Sequence, residues 1–121
     1  MEKIDGRKLK IEEQLKEISA KVIERESNKT ALITVTRAEL YERGRRATIF
    51  ITVLPASGED SALNFIKRKR SDIKEAVKKG MRIATIPFID VEIDTGEKAR
   101  QNIDKILYDD AQAFGTEESE E

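Results

Sequence analysis

Eight cationic side chains, Lys67, Arg68, Lys69, Arg70, Lys74, Lys78, Lys79 and Arg82, fall within one stretch, KRKRSDIKEAVKKGMR. Only Asp72 and Glu75 oppose them, so the segment carries +6 in a chain whose net charge is −1. Charge concentrated in this way in a near-neutral chain gives a field with a direction. Its chemistry is the binding of a polyanion, of which RNA and DNA are the commonest. The bland alternative is a solvated helical surface, because Lys and Arg are also good helix formers. Against it, the four successive cations Lys67–Arg70 repel one another.

Two other groups of residues invite a chemical reading. Arg43, Arg45 and Arg46 form a smaller basic patch, which reads equally well as a soluble turn. Asp90, Glu92 and Asp94 alternate, and a period of two places all three carboxylates on one face of a strand. On a flat strand such carboxylates diverge, so an exposed acidic face is expected in preference to a metal site. The chain has no Cys and no His. That excludes disulfides, Cys/His zinc sites and serine–histidine or cysteine–histidine nucleophilic catalysis. With no Trp, four Phe and two Tyr, the composition also argues against a single-strand binder built on aromatic platforms.

The elements that must position these residues follow from periodicity. A length of 121 residues suits one domain, with 38% hydrophobic and 39% charged residues giving a lean core and an ionic surface. Residues from about Asp5 to Glu26 read as an amphipathic helix with Ile11, Leu15, Ile18 and Val22 on one face, ended by Ser27-Asn28. Ala31–Leu40 and Ala47–Leu54 are rich in β-branched residues and read as an antiparallel hairpin around Gly44. Pro55-Ala56-Ser57-Gly58 ends the pairing, with Ser57 as a helix cap and Asp60 at N3.

The following helical signal is broken, because Lys67–Asp72 holds no residue of buried type. Helices of about 58–69 and 72–81 with a kink near Arg70-Ser71 are expected, the second opened by an Asp72/Glu75 capping box. One straight helix is the alternative. Ile73, Val77 and Met81 read as core. Pro87 marks entry to a third strand carrying Ile89, Val91 and Ile93. Asp94 then caps a last helix, with Glu97 at N3 and Ala99, Ile103 and Ile106 as its apolar face. Residues 108–121 form an acidic tail expected to be disordered, with Glu117, Glu118, Glu120 and Glu121 as a solubilising terminus. The order is α-β-β-α-α-β, a two-layer α+β sandwich with a C-terminal helix. Its third strand is reached by a crossover.

Four segments in this order, Ile33–Leu40 (ITVTRAEL), Ala47–Leu54 (ATIFITVL), Met81–Asp94 (MRIATIPFIDVEID) and Ile103–Leu107 (IDKIL), resemble the ribosome-binding factor A family. The resemblance runs from about Arg7 to Leu107 and is carried by order and spacing, since no one segment is diagnostic. It implies a type II KH-like fold for residues 1–107. Ordinary KH domains clamp a nucleic-acid backbone with a GxxG loop. This chain has none, and the family's Ala-x-Gly kink is replaced by Lys69-Arg70-Ser71. Arg43-Gly44 likewise stands where the family usually has Asp-Leu.

The resemblance further implies a non-enzymatic factor that binds 16S rRNA in the 30S ribosomal subunit and assists late rRNA folding and processing. The expected RNA-binding residues are Lys67, Arg68, Lys69, Arg70, Ser71, Lys74, Lys78, Lys79 and Arg82, with Arg45 and Arg46. No catalytic residue, metal or cofactor is expected. A module docking an acidic protein partner through its basic helices is the alternative, and a carboxylate enzyme a distant third. No segment reaches the roughly 20 apolar residues of a membrane span, and MEKIDGRKLKIEEQ lacks a signal-peptide core. A monomeric, cytoplasmic protein is therefore expected.

Overall fold

The computed structural model describes residues 6–27 and 29–119. Asp5, Asn28, Glu120 and Glu121 lie outside them, as does the reading given to each above. The order is α1 (Gly6–Glu26), β1 (Leu32–Tyr41), β2 (Arg46–Leu54), α2 (Glu59–Arg68), α3 (Arg70–Gly80), β3 (Phe88–Ile93) and α4 (Thr95–Ser119). This is the expected α+β order. The sheet runs β1-β2-β3, with β1 and β2 antiparallel and β2 and β3 parallel. The parallel pair is the consequence of the α2–α3 crossover.

The alternation of β2 sorts its residues. Ala47, Ile49, Ile51 and Val53 are buried under the helices. They meet Leu15, Val22 and Ile23 of α1, Ala62 and Ile66 of α2, and Ile73 and Val77 of α3. The opposite face is furnished by polar and aromatic pairs across strands. Arg37 stacks on Phe50 at 3.7 Å, and the Tyr41 hydroxyl and Thr48 Oγ1 lie 2.8 Å apart. The hairpin tip has three consecutive left-handed residues, Glu42 (φ 52°), Arg43 (φ 56°) and Gly44 (φ 85°). Gly44 is the one of the three that adopts this backbone without steric cost.

Three expectations about local structure are corrected. Ser57 caps nothing: a 3₁₀ turn, Ala56–Gly58, intervenes, and Gly58 stands at the start of α2 without a side-chain cap. Asp72 is not a cap either. It lies in the first turn of α3, whose cap position is Lys69. The expected apolar face of α4 does not pack on the domain, since Ala99 is exposed and Ile103 and Ile106 stay 57% and 60% exposed. The α4 backbone runs helical from Thr95 to Ser119. Glu, Gln and Ala are good helix formers, and no proline interrupts them.

Candidate nucleic-acid interface

The break between α2 and α3 is made by one residue. Lys69 has φ −98° and ψ 9°, a right-handed but non-helical conformation open to any residue. Its N–H bonds to the carbonyls of Ile66 (2.9 Å) and Phe65 (3.2 Å), closing α2, while its own carbonyl accepts from Ile73 N–H (3.0 Å), opening α3. No left-handed residue is needed, so serine at position 71 meets no penalty. The kink therefore falls one residue before the expected Arg70-Ser71, and α3 begins at Arg70 rather than Asp72.

The predicted cations divide into a junction group and a distal group. Lys67, Arg68, Ser71 and Lys74 are exposed around the junction, with Lys69 and Arg70 half-buried among them. Lys78, Lys79 and Arg82 are exposed at the far end of α3. At 1.5 Å per residue, Lys78 lies about 6 Å along α3 from Lys74, and the helix of 11 residues carries its far end roughly 15 Å from Arg70. Three of the cations are answered within the molecule. Lys69 Nζ lies 3.6 Å from Glu26 and 3.9 Å from Asp72. Lys78 pairs with Glu75 at 3.6 Å, and Arg70 pairs with Asp90 at 2.8 Å. Lys67, Arg68, Lys74, Lys79 and Arg82 have no ion-pair partner among the described residues, and these are the charges left to face outward.

Arg70 ties the junction to the sheet. Asp90 Oδ1 accepts both from Arg70 and from Val91 N–H at 2.9 Å. Burial raises the Asp90 carboxyl, but those two donors outweigh it and hold the group below its usual range. The Arg70 guanidinium also lies 4.8 Å from the centre of the Phe88 ring, and Arg46 approaches the same ring at 5.6 Å. The structure thus brings together Arg46 of the hairpin and Arg70 of the junction on an aromatic residue that sequence reasoning passed over. Phe88 is 51% exposed. Its visible signal was a large apolar residue standing just before the buried alternation Ile89-Val91. Arg45 sits in the turn ahead of β2 and is exposed, and its carbonyl accepts Phe88 N–H at 2.8 Å.

The acidic strand face is corrected. Asp90 is engaged by Arg70, and Asp94 is only 6% exposed. Asp94 does act as the expected cap, accepting Glu97 N–H at 3.0 Å. It also accepts from Thr36 Oγ1 (2.6 Å) and Arg37 Nε (3.3 Å). Asp90 and Asp94 are turned to separate partners while Glu92 is exposed, and among the described residues no group of three acids is placed to hold a metal ion. Nor is any described helix long and apolar enough to cross a membrane.

Asp90→Asn tests the restraint on Arg70. Asparagine keeps an acceptor for Val91 N–H but removes the charge facing Arg70. Both side chains are about a third exposed, so the stability cost should stay below about 1 kcal/mol. Affinity for a polyanion should rise a few-fold, by roughly the Coulomb energy of one screened charge. Titration with a short RNA beside the parent protein checks both signs.

Three helices on one face of a three-stranded mixed sheet, with a displayed helix–helix junction, define the type II KH-like class of α+β domain. Comparison with known proteins agrees. A family model for ribosome-binding factor A matches residues 7–107. The chain belongs to that family.

Solved structures share the fold. A crystal structure of ribosome-binding factor A from Thermus thermophilus is similar with a TM-score of 0.65 at 22% identity, covering 71% of this chain and 94% of that one. A solution structure of a putative ribosome-binding factor A from Thermotoga maritima gives 0.62 at 17% identity, covering 76% and 91%. The Thermus thermophilus factor as fitted into a cryo-EM map of a 30S complex gives 0.57 at 20% identity, covering 67% and 88%. No curated protein matches the sequence.

Proposed function

We propose that this protein binds 16S rRNA of the small ribosomal subunit and assists its late folding and processing without catalysing a reaction. The observation that carries the reading is the convergence at the α2–α3 junction. Lys67, Arg68 and Lys74 face outward beside Lys69, whose conformation opens α3 without a side-chain cap. Free N–H groups at a helix start add to the attraction for phosphate. Family membership supports the same partner, since a relative has been fitted into a 30S complex. Recognition rests on charge and backbone shape, and the domain acts as a monomer in the cytoplasm.

The salt dependence of binding tests this. Each phosphate contact contributes about 0.7 to 0.9 to the slope of log affinity against log salt. Lys67→Gln, Arg68→Gln and Lys74→Gln together should lower the slope by about 2 to 3 and weaken binding to small subunits roughly 10- to 100-fold near 100 mM salt. Lys79→Gln with Arg82→Gln, at the far end of α3, should cost less. An unchanged slope in the triple variant would remove the junction from the interface. Binding that survives both nuclease and high salt would point to an acidic protein partner instead.

A further inference from the structure

Phe88 has an environment that packing does not explain. It opens β3 opposite Arg46 in the parallel register. The neighbouring pair, Ala47 and Ile89, faces the helices, so alternation turns Phe88 and Arg46 to the other face of the sheet. Half of a phenylalanine is left in water there, with a guanidinium from each of two separate segments drawn up to it.

The two guanidiniums are held unequally. Arg70 is fixed by Asp90 at 2.8 Å and lies 4.8 Å from the ring centre. Arg46 has no ion pair among the described residues and sits at 5.6 Å, close to the distance of about 6 Å beyond which cation–π attraction is weak. An incoming planar group therefore displaces Arg46 at little cost, while Arg70 stays as part of the surface. The neighbourhood is cationic, because Arg45 is exposed next to Arg46 and Lys67 is close enough to Asp90 to help depress its carboxyl.

An exposed ring, a guanidinium held by an ion pair and a second guanidinium without one match the chemistry of one unpaired nucleotide. The base stacks on the ring and the flanking phosphate takes the released Arg46. We infer that Phe88 is the stacking seat for a single unpaired RNA base, with Arg46 as its phosphate clamp and Arg70 as the second wall. The inference rests on the RNA-binding reading above. It adds that the interface takes single-stranded RNA as well as duplex backbone, on a surface provided by β3 and the hairpin.

The test uses the full chain with two probes, a short single-stranded RNA carrying 2-aminopurine and a blunt duplex with the same number of phosphates. Stacking quenches 2-aminopurine, and the parent protein should show that quench. Phe88→Leu keeps apolar bulk and removes the π face. It should abolish the quench and lower the ratio of single-strand to duplex affinity about 5- to 100-fold. Phe88→Trp should restore both, with its own fluorescence quenched by the RNA. Thermal melting confirms that each variant is folded.

An unaltered affinity ratio and a persisting quench in Phe88→Leu would overturn the stacking seat while leaving the phosphate interface standing. A parent protein that binds neither probe in a salt-dependent way would overturn both. Loss of the quench in Phe88→Leu with rescue by Phe88→Trp supports the seat, since a purely structural role for the ring gives no spectroscopic signal from the RNA.

Discussion

Replacing Ile73 with alanine is expected to destabilise the domain by about 3–4 kcal/mol and, on the proposed function, to take much of the RNA affinity with it. Ile73 is fully buried, and with Val77 it is one of two fully buried residues on α3. Alanine there removes the transfer energy of the lost carbons and leaves a cavity under a helix that can settle only partly. The effect on binding follows from the same geometry. Lys74 rides on the turn beside Ile73, and Arg70 and Lys69 sit one turn before it. If α3 rocks on a shortened anchor, the junction charges no longer hold one spacing. Lys74→Ala is the matched control, because it changes an exposed residue and should move stability by less than about 0.5 kcal/mol. Urea midpoints of the two variants, measured with RNA titrations at a temperature where Ile73→Ala remains folded, separate anchoring from charge. Equal midpoints would mean that α3 is not seated through Ile73.

The sequence disclosed the helix break because Lys67–Asp72 contains nothing to bury, a negative signal that survives without tertiary information. Its position was read from Asp72 and Glu75 as a cap, and that rule misled. The real turn uses Lys69 in an ordinary right-handed conformation, which leaves no compositional trace. The crossover into β3 was legible for a similar reason. Two helices stand between the hairpin and β3, whereas the parallel pairing of β3 with β2 became visible only in the fold.

The candidate interface was legible as a list of charges and not as a surface. Intramolecular pairing decides which cations face outward, and Glu26 and Asp90, the partners of Lys69 and Arg70, come from α1 and β3. Phe88 was hidden because its significance lies in the approach of Arg46 and Arg70, which are distant along the chain. Low aromatic content pointed away from aromatic platforms, and composition could not show where a single exposed ring would stand.

Asp94→Ala is expected to cost about 2–3 kcal/mol, large for a polar residue. The carboxylate is 6% exposed and joins elements that are otherwise separate. Thr36 lies where the register of β1 shifts between Val35 and Arg37, and its hydroxyl donates to Asp94, as does Arg37. The Glu97 N–H at the start of α4 donates to the other oxygen. Removing the side chain loses a helix cap worth about 1 kcal/mol and a charged hydrogen-bond acceptor worth about 1.5 kcal/mol or more. Thr36 can still donate to the Phe50 carbonyl at 3.2 Å, which keeps the cost from rising further. Burial raises the Asp94 carboxyl, but the Thr36, Glu97 and Arg37 donors prevail and leave it below the usual carboxylate value. A depressed folded value means that the unfolded chain takes up the proton first as pH falls. The stabilisation from Asp94 is therefore complete above about pH 5, where the unfolded carboxyl is ionised, and is lost as pH falls toward and through the folded value. Asp94→Ala should show a flatter stability curve than the parent below about pH 4, with faster amide exchange at Glu97 and Lys98 where α4 begins. Parallel pH curves for the two proteins would show that the ionised Asp94 contributes nothing, and the link between the β1 bulge and α4 would have to be carried by packing alone.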